Sequence, residues 1–275
     1  MADISLADIK ALREQLGTGM VDTKNALVEA EGDMEKAIEI LRLKGAKGNA
    51  KRADRSTSEG LIAAQQDADA TTMIELASET DFVAKNEKFV ALGNTVLAAV
   101  AAAKADSLES ALAAAVDGTT VGALIDDQAA IIGEKLELRR VVRLVGAHSE
   151  VYLHRTSKDL PPQVGVVVTY EGSDADTARS IAQHIAFADP LYLSKDDVPA
   201  DAVEKERELV TEISRNEGKP EAALPKIVEG RLGAFFKQVA LLEQDYAKDN
   251  KLTIAKVVDD AGITVSGFAR FKVGA

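Results

Sequence analysis

The chain has 275 residues, 46% hydrophobic and 28% charged, with 7 Phe, 4 Tyr, no Trp and no Cys. The missing cysteine excludes disulfides, thiolate metal sites and a cysteine nucleophile. The formal net charge of −12 is a poor match for a protein that tracks nucleic-acid phosphates, and suits one that stays soluble at high abundance or meets a basic partner surface.

In chain order, the start Met1-Ala2-Asp3-Ile4 has no apolar stretch of the signal-peptide kind, and Leu97 to Ala103 is too short to cross a membrane. The expected location is cytoplasmic, without membrane contact. Residues 1–44 read as three helices. Ser5 and Asp8 form a variant capping box before Ile9, Leu12 and Leu16. Gly17-Thr18-Gly19 stops that helix; a second runs from about Asp22 to Ala30. Asp33 caps a third that buries Met34, Ala37, Ile38 and Leu41. Lys44 to Arg55, basic among small residues, reads as a linker, a solvated and partly helical connector.

From Glu59 the pattern changes. Residues 60–64 and 72–76 read as paired strands, followed by helices at about 86–104, 107–115 and 121–130 and a strand at 135–145. A weak repeat follows. Val121 to Gly146 resembles Ile254 to Gly274 in element order, and the strand at Met73 with its helix resembles Val164–Thr169 followed by Asp174–Phe187. Two related α+β subdomains account for both matches. Between them, Ala202, Leu209 and Ile213 form one narrow apolar seam, and Val228, Leu232, Phe235 and Val239 a broader one, reading as a protruding helical hairpin interrupted at Gly218-Lys219-Pro220. The expected division is 1–55 for the helical unit and linker, 56–147 for the first core subdomain, 148–198 with 227–275 for the second, and 199–226 for the hairpin.

Chemistry is scarce. Gly17-Thr18-Gly19 lacks the third glycine and preceding strand of a dinucleotide site, and Gly218-Lys219 is followed by Pro220 rather than Ser or Thr. His148, His154 and His184 show no metal-ligand spacing. No catalytic residue, metal or cofactor is expected. A hydrolase built on clustered acids such as Asp126-Asp127 and Asp259-Asp260 fits poorly, because adjacent helical positions do not face one site. Phe82 reads two ways: as the tip of a polar loop after a strand, or as a core aromatic closing the strand–helix corner.

Two stretches carry a specific resemblance. Leu12-Arg13-Glu14-Gln15-Leu16-Gly17-Thr18-Gly19-Met20-Val21-Asp22-Thr23-Lys24-Asn25-Ala26-Leu27 and Glu75-Leu76-Ala77-Ser78-Glu79-Thr80-Asp81-Phe82-Val83-Ala84-Lys85 resemble the two signatures of the elongation factor Ts family. The resemblance continues through Ile132-Gly133-Glu134, Tyr152-Leu153-His154, Val228-Glu229-Gly230-Arg231 and Phe268-Ala269-Arg270-Phe271, and so spans nearly the whole chain. Leu16, Ala77 and Arg155 depart from the residues usual there, and the sequence stops at Ala275 where long members continue into a further helix.

The resemblance implies an α+β fold with a ubiquitin-associated-like helical domain, a two-subdomain core with antiparallel sheets, and a coiled-coil insertion. It implies a guanine nucleotide exchange factor that binds elongation factor Tu loaded with GDP, perturbs its magnesium and phosphate site and promotes GDP release. By that resemblance Arg13, Met20, Val21 and Lys24 contact the GTPase domain. Asp81 and Phe82, within Thr80–Val83, wedge beside the magnesium site. Ile132 and Gly133 give a supporting contact, and His154 one from the second subdomain. No direct nucleic-acid contact is implied; a homodimer or a heterotetramer with the GTPase stays open. A competing reading, an adaptor that binds another protein through a ubiquitin-associated-like unit, needs only residues 1–44.

Overall fold

Three helices open the chain: α1 (Leu6–Leu16), α2 (Met20–Glu29) and α3 (Met34–Arg52). The computed structural model describes residues 4–16 and 18–275, with Glu14 and Gln15 described by their backbone alone. Gly17, expected to stop the first helix, therefore lies outside the described residues. Ser5 and Asp8 exchange the bonds of a capping box: the Asp8 N–H donates to the Ser5 hydroxyl at 3.1 Å and the Ser5 N–H to the Asp8 carboxylate at 3.3 Å. Ile9, Leu12, Ala26, Leu27, Ala30, Ala37 and Leu41 form the small core of this unit.

The expected partly helical connector is helix as far as Arg52, and it is packed rather than free in solvent. α3 continues through Lys44, Lys47 and Lys51 to Arg52 and lies against a later helix, α7 (Val121–Ile132). The contact is close because position 45 has no side chain: a β-carbon on Gly45 would lie 2.7 Å from that of Ala130. Asn49 donates to the Asp126 carbonyl at 2.8 Å and Arg52 to that of Ala129 at 3.3 Å. The packing was not legible in sequence because the helix meets its neighbour through alanine and glycine, which carry little hydropathy signal.

The rest of the chain repeats one plan twice. The first copy runs β1 (Glu59–Gln66), β2 (Ala70–Ser78), a single turn α4 (Asp81–Ala84), α5 (Glu87–Ala102), α6 (Leu108–Ala113), the short strands β3 (Ala115–Val116) and β4 (Thr119–Thr120), α7, and β5 (Leu136–Val145). The second runs β6 (His148–His154), β7 (Val164–Glu171), α8 (Ala175–Ala188), the paired helices α9 (Ala200–Asn216) and α10 (Leu224–Val239), β8 (Asp245–Tyr246), β9 (Asp249–Thr253), α11 (Ile254–Asp260) and β10 (Thr264–Lys272). Each copy folds into a three-stranded antiparallel sheet, ordered β1-β2-β5 and β10-β7-β6. Asp117 and Gly118, with φ of 46° and 78°, make the left-handed two-residue turn between β3 and β4.

The sheets face each other. Their inner faces bury Ile62, Met73, Val167 and Phe271 between them. Gly165 allows the approach, since a β-carbon there would lie 2.4 Å from Ile62 and 2.9 Å from the Met73 sulfur. On the outer faces, Leu61, Ile74 and Leu76 meet Phe89, Val96 and Val121, while Val166 and Val168 meet Ile181, Ile185 and Ile254. The result is four layers, helix–sheet–sheet–helix, an α+β architecture.

One carboxylate sits at the meeting of the sheets. Glu75, on the inward face of β2, has a side chain with no solvent exposure. It accepts from Arg140 Nε at 2.5 Å and Arg139 Nη1 at 3.4 Å. Consecutive strand residues normally point to opposite faces. The register shifts between the pairs Glu75–Arg140 and Leu76–Leu138, leaving Arg139 as the extra residue of a bulge, so both guanidiniums reach the same carboxylate. Arg140 also stacks 4.6 Å from the Phe271 ring centroid and donates to the Lys272 carbonyl at 2.6 Å, while the Gly274 N–H donates to Glu75 at 3.4 Å.

The helical pair differs from the expected seam. Val210 and Ser214, with Val203, face Val228 and Leu232, whereas Leu209 and Ile213 are exposed on the far side. The apolar stripe chosen from sequence was displaced around the helix because Val203 and Val210 lie next to equally apolar neighbours. Ion pairs Arg207–Glu229 at 2.7 Å and Arg231–Glu217 at 2.6 Å join the two helices. The pair extends to Val239, beyond the expected limit at residue 226.

Removing Glu75 takes away the one buried carboxylate that both arginines share at the sheet junction. Glu75→Ala should destabilise the fold by about 3–5 kcal/mol, read as a shift in the urea midpoint. A second expectation concerns His184, buried in α8. Its Nδ1 accepts from the Ala247 N–H at 3.2 Å, so Nε2 carries the proton toward the Gln244 oxygen at 2.9 Å. Burial lowers its pKa, against a smaller opposing effect of the Gln244 bond. The unfolded chain therefore takes up the proton first, and stability falls as the pH drops below about 6.5. Melting temperature measured from pH 7.5 to 5.5 should decline in the wild type and decline less in His184→Gln.

Candidate functional site

β2 ends at Ser78, and the chain turns sharply into α4. Thr80 caps that turn, its hydroxyl accepting from the Val83 N–H at 3.4 Å. Ala84 is buried and Val83 packs on the outer core of the first sheet. Phe82 is left pointing outward, 81% exposed. The core-aromatic alternative therefore does not hold for this residue, and the expected loop tip is a single helical turn. Asp81 pairs with Lys85 at 2.6 Å, and this hydrogen bond is the main cause holding the Asp81 pKa below the usual carboxylate value. The Lys85 ammonium lies 6.0 Å from the Phe82 ring centroid, at the edge of cation–π range.

The turn is braced from across the sheet. Glu134 accepts from the Thr80 hydroxyl at 2.6 Å and from the Thr80 N–H at 3.1 Å. Reciprocally, the Glu79 carboxylate accepts from the Lys135 N–H at 2.6 Å and pairs with Arg55 at 3.2 Å. Lys135 Nζ donates to the Ala53 carbonyl at 2.9 Å. The end of β2, the start of β5 and the end of the N-terminal unit are thus tied into one frame.

Gly133 explains why Glu134 arrives there. It ends α7 in the left-handed conformation, φ 84°, its N–H donating to the Ala129 carbonyl at 2.9 Å. Ile132 before it packs on the same core as Val83. So Thr80, Asp81, Phe82 and Val83 are brought together with Ile132 and Gly133, while the other expected residues stand apart from that turn. Met20 and Val21, 45% and 70% exposed, begin α2, and Lys24 is exposed one turn later. Arg13 is exposed in the last turn of α1. His154 is exposed at the end of β6, an edge strand of the second sheet, with Nδ1 3.1 Å from the Tyr152 hydroxyl.

The arrangement presents an apolar projection on a braced turn. Among the described residues no group of three or more His, Asp or Glu side chains is placed to hold a metal ion, and no helix is long and apolar enough to cross a membrane. Sequence reasoning missed Glu134 and Arg55 as parts of the site. A glycine closing a helix before an acid was a visible signal, but nothing local names a partner 54 residues away.

Comparison with known proteins agrees with the resemblance. A family profile described as Elongation factor TS matches residues 79–275. The chain is 72% identical over 275 residues to the Elongation factor Ts of Clavibacter michiganensis subsp. michiganensis (strain NCPPB 382), covering 100% of both chains. It is 73% identical over 276 residues to that of Leifsonia xyli subsp. xyli (strain CTCB07), and 56% over 274 residues to that of Tropheryma whipplei (strain Twist), again covering 100% of each chain.

The two glycine and aromatic positions should separate in their effect on stability. Phe82→Ala should change unfolding free energy by no more than about 0.5 kcal/mol, as expected for an exposed side chain. Gly133→Ala should cost about 1 kcal/mol or more, because its backbone is left-handed. Urea denaturation of both variants measures the contrast.

Proposed function

Because the chain belongs to the elongation factor Ts family, we propose that it is a guanine nucleotide exchange factor that binds elongation factor Tu carrying GDP and speeds GDP release during translation elongation in the cytoplasm. The observation that carries this reading is the exposed Phe82 on a turn braced by Glu134 and rooted in the first sheet. The chain acts by binding; it makes and breaks no covalent bond.

In this reading Phe82 enters the partner beside its magnesium site and displaces packing there, with Asp81 disturbing the ion's coordination. Losing the ion removes a divalent charge that helps hold the GDP phosphates. Arg13, Met20, Val21 and Lys24 dock on the GTPase domain, Ile132 and Gly133 support the wedge, and His154 adds a contact from the second subdomain. The proposed division of labour follows the proposed domains: a docking arm in residues 1–55, the wedge in 56–147, and the second subdomain with its helical insertion as a further platform.

Magnitudes require this spread. Speeding release by ~10⁴-fold takes roughly 5.5 kcal/mol of differential stabilisation. Burying one phenylalanine supplies about 1.5–3 kcal/mol. Phe82 therefore works only alongside other patches, over an interface of about 2,000 Å² or more. By linkage, GDP weakens binding of this protein to its partner by the factor with which this protein weakens GDP binding.

Stopped-flow release of a fluorescent GDP analogue from elongation factor Tu tests the reading. The wild-type chain should accelerate release. Phe82→Ala should slow the accelerated release at least ~10-fold, equivalent to about 1.4 kcal/mol. Normal exchange by a folded Phe82→Ala protein overturns the wedge.

A further inference from the structure

A four-residue helix has no stability of its own, because its first backbone N–H groups lack partners inside so short a turn. Something outside α4 must set its shape. The Thr80 hydroxyl has one proton and faces two neighbours: the Val83 N–H, which can only donate, and the Glu134 carboxylate, which accepts. Giving the proton to Glu134 turns an oxygen lone pair toward Val83, which completes the cap. The second Glu134 oxygen takes the Thr80 backbone N–H. Both carboxylate oxygens are thus spent on the residue that starts the Phe82 turn. Glu79 also joins these segments, through the Lys135 N–H, but it holds the root of the turn and not its cap.

Resting on the exchange-factor reading above, we propose that Glu134 is a positioning residue for nucleotide release: it holds Thr80 so that Phe82 meets the partner already in its working orientation. A turn left to order during docking would draw on the interaction free energy that should drive the partner's rearrangement. Glu134 acts through Phe82 and need not touch the partner.

The test is a double-mutant cycle read by release of a fluorescent GDP analogue from elongation factor Tu, alongside thermal melts of each variant. Glu134→Ala should slow accelerated release by ~10-fold. Thr80→Val, which loses the hydroxyl, should slow release, and putting the hydroxyl back with Thr80→Ser should recover most of that loss. In a Phe82→Ala background, Glu134→Ala should slow release by less than ~2-fold, because the group it positions is gone. Equal slowing in both backgrounds overturns the proposal, as does unaltered release by Glu134→Ala. If Glu134→Ala fails to fold, the same cycle with Thr80→Val decides it by the same criterion. A wild-type chain that does not accelerate release at all defeats the functional reading itself, an outcome separable from failure of the cycle.

Discussion

A single buried carboxylate sets the relation between the two sheets. Glu75 sits where water cannot reach it, and its charge is tolerable only because two guanidiniums and a backbone N–H converge on it. Meeting that demand needs the bulge at Arg139, which needs β5 in one register against β2. Arg139 also donates to the Thr57 carbonyl and hydroxyl, so the approach to β1 is drawn in as well. Arg140 carries the constraint across to Phe271 and Lys272 of β10. The apolar face between the sheets supplies attraction without direction. The ionic cluster at its margin supplies the direction, fixing how one copy of the repeat lies on the other.

Much of this was legible in the residues. Residues 60–64 and 72–76 read as the paired strands β1 and β2, helical spacing marked α1, and the likeness of residues 121–146 to 254–274 anticipated the doubled plan. The doubling is fuller than the sequence suggested, since each copy also carries a two-stranded hairpin ahead of its last helix. The Asp117-Gly118 turn between β3 and β4 was readable as such a signal. β3, β4 and β8 have two residues each, too few to show any period, which is why they went unread. α3 was cut short for a different reason. Lysine, glycine and alanine are what a solvated connector contains, and they are also what a helix uses to come within contact of another backbone. Only the position of Ala130 tells the two apart.

The site shows the same split between local and remote information. A projecting Phe82 was one of two readings of the polar run before it, and its exposure depends on Val83 and Ala84 being anchored and on Glu134 arriving from a distant helix end. Other exposed apolar side chains, Phe187 at 82% and Leu191 at 66%, have no comparable bracing from two carboxylates. Exposure alone is common on protein surfaces. Exposure on a turn held by Glu79 and Glu134 together is a different arrangement, because the projecting group has little freedom left to lose.

The contact between Gly45 and Ala130 makes the first helical unit a lever with its fulcrum at one missing side chain. Any residue larger than glycine at position 45 acts as a shim, pushing α3 away from α7 and with it the helical unit that carries Met20 and Val21. A graded set of shims, alanine and then serine, would re-aim that end of the molecule without altering a single residue that faces outward there, so geometry and surface chemistry become independently adjustable.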